Sequence, residues 1–81
     1  MELVLKKQPQ KYLSSVDPNT RKKLLKALDD LSELKGDIVL IDKKKSLYRY
    51  KIPHYRIIFQ WRKGEIMITV IEINSRTNIR Y

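Results

Sequence analysis

Residues 47–61 read LYRYKIPHYRIIFQW, and the side-to-side alternation in this stretch decides the fold. In an extended strand, neighbouring side chains point to opposite faces. Tyr48, Tyr50 and Ile52 then share one side, and Leu47, Arg49 and Lys51 the other. Pro53-His54 interrupts the run and marks a tight hairpin. Past it, Tyr55, Ile57, Phe59 and Trp61 share one side, while Arg56, Ile58 and Gln60 share the other. The aromatic sides require burial. Arg49, Lys51 and Arg56 are therefore expected to project together from the opposite, open face.

Downstream, Arg62-Lys63-Gly64 reads as a turn. Glu65–Ile73 (EIMITVIEI) is apolar at nearly every position, which predicts a central strand covered on both faces. If that strand runs on, Ile68, Val70, Glu72, Asn74 and Arg76 have a common parity. Should this parity match the open face, Arg76 joins the cations there, and Ile68 and Val70 add apolar surface to that of Leu47 and Ile58.

Upstream, Asp37–Asp42 (DIVLID) is a short strand or an ordered connection. Before it, Leu24, Ala27, Leu28, Leu31 and Leu34 fall at helical spacing, with Lys22, Lys23, Lys26, Asp29, Asp30 and Glu33 largely on the other side. Asp17-Pro18 is a strong start for this helix of about five turns, since Asp caps free N–H groups and Pro suits the first position. Gly36 offers a left-handed stop. Gln8–Val16 reads as a shorter helix with Pro9 near its start, and Glu2–Leu5 as a short strand. The expected architecture is α+β: an N-terminal strand and a two-helix hairpin packed on a mainly antiparallel sheet. One domain over residues 1–81 is expected from the length.

Such a chain buries only about 60% of its unfolded surface, so chemistry on an open surface is expected rather than in a deep pocket. The sequence contains no cysteine, which excludes disulfides, thiol nucleophiles and thiolate metal sites. No apolar run approaches the roughly 18 residues that span a bilayer, and the N-terminus lacks a signal-peptide core; a cytoplasmic location and no membrane partner are the expectations. The chain carries 18 Lys and Arg against 9 Asp and Glu, a formal charge of +9. Residues 1–40 hold 8 basic and 6 acidic residues; residues 41–81 hold 10 and 3. The second half thus carries most of the excess, a field that attracts polyanions such as nucleic acid or an acidic protein.

Alternating polar residues opposite a core are ordinary in a half-exposed sheet. Two features argue for more than a solvated face. The cations have only Glu72 near them in the pattern, and crowding like charges on one face costs stability. The face also retains apolar residues between the charges.

The block LYRYKIPHYRIIF (47–59), followed by a hairpin and ITVIEINSRTNIRY (68–81), resembles the RelE/ParE toxin superfamily. The upstream helical hairpin extends the resemblance over essentially the whole chain. It implies a toxin of a type II toxin–antitoxin system, held inactive by a cognate acidic antitoxin. RelE-like members enter the ribosomal A site and cut mRNA; ParE-like members inhibit DNA gyrase without the ribonuclease residues. A catalytically inactive RNA- or partner-binding module of the same fold is a third reading. The ribonuclease set of the family falls on Arg49, Lys51, Arg56, Arg76 and Tyr81, which favours the endoribonuclease branch. Arg49 stands where well-studied members have Lys, and Asn74 where the family often has Gly. Arg80 and the run Lys43, Lys44 and Lys45 are further RNA-binding candidates.

RNA supplies its own nucleophile, the 2′-OH. Preorganised cations provide the electrostatic part of the catalysis without metal, so no cofactor is expected. Lys51 is the candidate base, because a guanidinium cannot serve as one and like charges beside the amine work in that direction. Arg49 and Arg56 are expected to hold the phosphate, Arg76 to stabilise the leaving oxygen, and Tyr81 to stack on a base. His54 reads as an exposed turn residue, Glu72 as a partner for Arg56 or Arg76, and Trp61 with Phe59 as core.

Overall fold

Asp17 begins the longer helix as its chemistry suggests. Its carboxylate accepts the Thr20 N–H at 3.2 Å, and Pro18 occupies the first helical turn. The hydroxyl of Thr20, then its N–H, hold the Asp17 carboxyl below the usual Asp range. The computed structural model describes residues 1–75. They form β1 (Glu2–Leu5), α1 (Lys7–Ser15), α2 (Pro18–Ser32), β2 (Asp37–Asp42), β3 (Leu47–Ile52), β4 (Tyr55–Gln60) and β5 (Met67–Ser75).

Helix α2 is shorter than its apolar spacing suggests, about four turns. It stops at Ser32, and the chain enters the left-handed region at Leu34 (φ 55°) before Gly36 (φ 120°). Arg21 closes the helical hairpin: its guanidinium donates to the carbonyls of Leu13 at 2.7 Å and Val16 at 3.0 Å. A cation thus meets the carbonyl end of α1, where the helix dipole favours it.

The five strands make one sheet in the order β1-β5-β4-β3-β2. Strand β1 runs parallel to β5, and the other neighbours are antiparallel. DIVLID is therefore a strand, and it forms one edge. Pro53-His54 makes the β3–β4 turn, with His54 exposed at φ 69°; Pro followed by a positive-φ residue suits a type II turn. Both helices cover one face. Leu24, Leu31, Ile57, Phe59, Ile68, Val70 and Ile73 are fully buried between the layers, with Leu13, Ala27, Leu28 and Tyr50 beside them. Tyr48 stacks on Phe59 with ring centroids 5.3 Å apart, and Trp61 is half-buried against the same cluster.

Strand β5 departs from its sequence reading in two ways. Its second face is open: Met67 and Glu72 are exposed. Its alternation is also broken. Phe59 pairs with Val70 and Ile58 with Glu72, so Ile71 is an extra residue, a β-bulge. The bulge lets Ile68, Val70 and Ile73 all point at the helices, whereas an unbroken strand turns Ile73 away from Val70. Ile68 and Val70 accordingly belong to the core and not to the cationic face.

Past the bulge, β1 has already ended. The Gln8 side chain takes its place, accepting the Ile73 N–H at 2.8 Å and donating to the Ile73 carbonyl at 2.9 Å.

Gly36 and Gly64 both have positive φ, but they differ in surroundings. A Cβ on Gly36 would collide with the Tyr50 ring, whereas one on Gly64 meets nothing within 4 Å. Gly36→Ala is expected to destabilise the fold by more than about 1 kcal/mol, and Gly64→Ala by less. Urea unfolding of the two variants checks the difference.

Candidate functional site

Burial of Ile57 and Phe59 sends Arg56 and Ile58 to the open face of β4. The β3–β4 register then places Lys51 directly opposite Arg56 and Arg49 opposite Ile58. Three of the expected site residues thus meet on one surface. Two cross-strand rows define it. The first runs Asp37, Lys51, Arg56, Asn74; the second runs Val39, Arg49, Ile58, Glu72.

Like charges directly opposite each other in a sheet are destabilising; Asp37 lies beside Lys51 across β2, and no ion pair within 4.0 Å joins Arg49, Lys51 or Arg56 among the described residues. Among the described residues, the ion pair within 4.0 Å is Lys35–Glu33, in the loop after α2. Glu72 was expected to pair with Arg56 or Arg76; it does not pair with Arg56, its carboxylate accepting the Asn74 side-chain amide at 2.6 Å, and Arg76 lies outside the described residues. Arg49 and Arg56 are each partly buried by their neighbours. Their Nε atoms are inaccessible to water and have no hydrogen-bond partner among the described residues. A buried unsatisfied donor costs about 1–3 kcal/mol. Positive charge therefore dominates the middle of this face.

Asp37 and Asn74 flank the Lys51–Arg56 pair; Asn74 was grouped by strand parity, but Asp37 was not singled out from sequence. Asp37 had no register to place it beside Lys51. The bulge at Ile71 confirms the open-face position of Glu72 and Asn74, but by a different route from simple alternation.

Lys43, Lys44 and Lys45 are exposed in the β2–β3 turn. Four residues of strand separate Leu47 from Lys51, about 13 Å, so this run lies at the far end of the sheet from the Lys51–Arg56 pair. The Gln60 amide donates to the Lys45 carbonyl at 2.7 Å and holds the turn against β4. Arg76, Arg80 and Tyr81 lie outside the described residues.

The helix side carries a separate groove of about 380 Å³, lined by Lys23, Lys26, Tyr50, Ile52, His54 and Tyr55 among others. Burial, then the charge of Asp30, raise the Tyr50 hydroxyl above its ordinary range. The groove is separated from the cationic face by the thickness of the sheet. Among the described residues, no three of His, Cys, Asp and Glu gather as metal ligands. No helix there is long and apolar enough to cross a membrane.

A five-stranded mixed sheet with both helices on one face is the α+β architecture of RelE structures. Residues 3–80 match the family profile for the ParE toxin of the type II toxin–antitoxin system parDE, and the chain belongs to that family. It superimposes on a chain of the archaeal RelE–RelB complex from Pyrococcus horikoshii with a TM-score of 0.75 at 20% identity, covering 96% of this chain and 97% of that one. The RelBE2 toxin–antitoxin complex from Mycobacterium tuberculosis gives 0.74 at 14% identity, with 95% and 92% covered. The isolated E. coli RelE toxin gives 0.71 at 18%, with 91% and 82% covered. At these identities the likeness establishes the fold. No curated protein sequence matched the chain.

If the unpaired guanidinium groups are kept at the expense of stability, removing them relieves the fold. Arg49→Met and Arg56→Met are each expected to stabilise the protein by about 1 kcal/mol. Chemical denaturation measures this; a lowered midpoint in both variants would show that the arginines are structural.

Proposed function

We propose that this toxin is a ribosome-dependent mRNA endoribonuclease, inhibiting translation by metal-independent cleavage through the 2′-OH of the message in the ribosomal A site. The observation that carries this reading is the gathering of Arg49 and Arg56 beside Lys51 on one open face. A phosphate offers acceptors to the terminal guanidinium nitrogens, and arginine matches it with paired bonds.

The chemistry follows from what RNA brings. The 2′ oxygen attacks the adjacent phosphorus while Lys51 takes its proton. Arg49 and Arg56 carry the charge that builds on the phosphorane oxygens. The bond to the 5′ oxygen breaks, and that oxygen takes up a proton from solvent. The products are a 2′,3′-cyclic phosphate and a 5′-hydroxyl. Arg76 is assigned to the leaving oxygen, Tyr81 to stacking on a base, and Arg80 with Lys43, Lys44 and Lys45 to the RNA backbone. A cognate acidic antitoxin is the natural inhibitor, since it opposes a charge of +9; solved relatives are complexes of RelE with RelB.

The ParE description of the family profile supports a second reading, inhibition of DNA gyrase without RNA cleavage. Growth inhibition and primer extension on translated mRNA separate the two. Lys51→Ala and Arg56→Ala are each expected to lower cleavage by about 10²-fold or more. Toxicity that survives combined alanine substitution of Lys51, Arg56 and Arg76 would remove the nuclease reading. Cleavage is also expected to persist in excess chelator, and its loss with recovery on adding magnesium would overturn the metal-free mechanism.

A further inference from the structure

Where α2 overlies the middle of the sheet, Leu24, Leu28 and Leu31 close the contact. Toward the β3–β4 turn the helix offers something else. Residues 23, 26, 27 and 30 share one side of α2 at helical spacing, and they are Lys, Lys, Ala and Asp. Ala27 brings only a methyl group to this side, and the groove of about 380 Å³ lies against it. Tyr50 and Ile52 of β3 and Tyr55 of β4 form the opposite wall. Tyr50 is buried, and Ile52 and Tyr55 are half-buried against the core. A concave space of at least about 300 Å³, mostly apolar and aromatic with a few polar groups, is the usual form of a small-molecule site.

The polar groups stand at two ends of this groove. Lys23 and Lys26 supply positive charge at one end. Asp30 lies seven residues past Lys23, about 10 Å along the helix axis. Lys26 and Asp30 are one turn apart, yet no ion pair within 4.0 Å joins them among the described residues. Both charges are therefore free to meet a ligand. Asp30 also lies near enough to Tyr50 for its charge, after burial, to raise that hydroxyl.

We infer that this groove binds a small planar anion of the nucleoside monophosphate class. The phosphate rests on Lys23 and Lys26, whose ammonium groups bind it as point charges. The base lies on the Tyr55 ring beside Ile52, since aromatic side chains stack on any base. An amino group of the base donates to the Asp30 carboxylate, the acceptor that such groups favour. A longer nucleic acid strand fits less well, because Asp30 repels the next phosphate. The groove is on the helix side, with the thickness of the sheet between it and the Lys51–Arg56 pair. The inference does not depend on the nuclease reading.

Titration of the full chain with AMP, followed by calorimetry and nuclear magnetic resonance, tests the site. Shifts are expected at Ala27, Tyr50, Ile52 and Tyr55. Adenosine and inorganic phosphate are each expected to bind at least about tenfold more weakly than AMP. Inosine monophosphate, which has a carbonyl in place of the amino group, is expected to bind more weakly as well. Lys23→Ala combined with Lys26→Ala is expected to weaken AMP binding about tenfold or more, and Ala27→Leu to abolish it by filling the groove. Both lysines are exposed, so their double variant keeps the fold even if Ala27→Leu does not. Alanine at Lys51 and Arg56 is expected to leave AMP affinity unchanged. Undiminished binding by the double lysine variant overturns the inference, as does adenosine that binds as tightly as AMP. Shifts gathered instead at Arg49, Lys51 and Arg56 overturn it too, and so does the absence of both heat and shifts at millimolar AMP. Failure of the nuclease reading is seen separately, as growth inhibition that ignores Lys51 and Arg56.

Discussion

The alternation of strand β4 is the constraint on which the rest of the structure depends. Ile57 and Phe59 are drawn into the core by the hydrophobic effect, and they take no exposed surface with them. Each inward residue forces its neighbour outward. Arg56 and Ile58 therefore have no choice of face, and neither do Lys51 and Arg49, whose positions the cross-strand register dictates. The helices stabilise the cationic surface without touching it. By filling one side of the sheet they oblige the charges to crowd on the other.

That crowding makes the site a liability in the folded state. Lys51 faces Arg56 across a strand pair, and two guanidinium Nε donors are buried with nothing to bind among the described residues. Neither arrangement helps the protein fold. An anion placed on this face would offset the crowded charge.

Much of the fold was legible in residue pattern because local signals and tertiary packing agree. Asp17-Pro18 started a helix, Pro53-His54 turned a hairpin, and the alternation from Leu47 to Trp61 assigned both faces. The cations Arg49, Lys51 and Arg56 followed from that alternation alone. What escaped was non-local. A one-residue bulge at Ile71 leaves no mark in a strand that is apolar at almost every position, yet it moves Ile68 and Val70 to the core face. The neighbours of Lys51 and Arg56, Asp37 and Asn74, depend on registers between separate strands, which period-two reading of one strand does not contain. The end of α2 was misjudged for a similar reason: Leu34 keeps the helical spacing but reaches the core from a left-handed residue after the helix has stopped.

The clasp between Gln8 and Ile73 also has a meaning in time. Residue 8 is made early and residue 73 late, and β1 has no strand to pair with until β5 exists. The β2–β3–β4 meander, by contrast, joins strands that are neighbours in sequence. Closing so long a loop is entropically slow compared with a hairpin. The clasp that fixes the Asn74 end of β5 is thus a long-range contact beside the cationic strands, costlier in chain entropy than either hairpin.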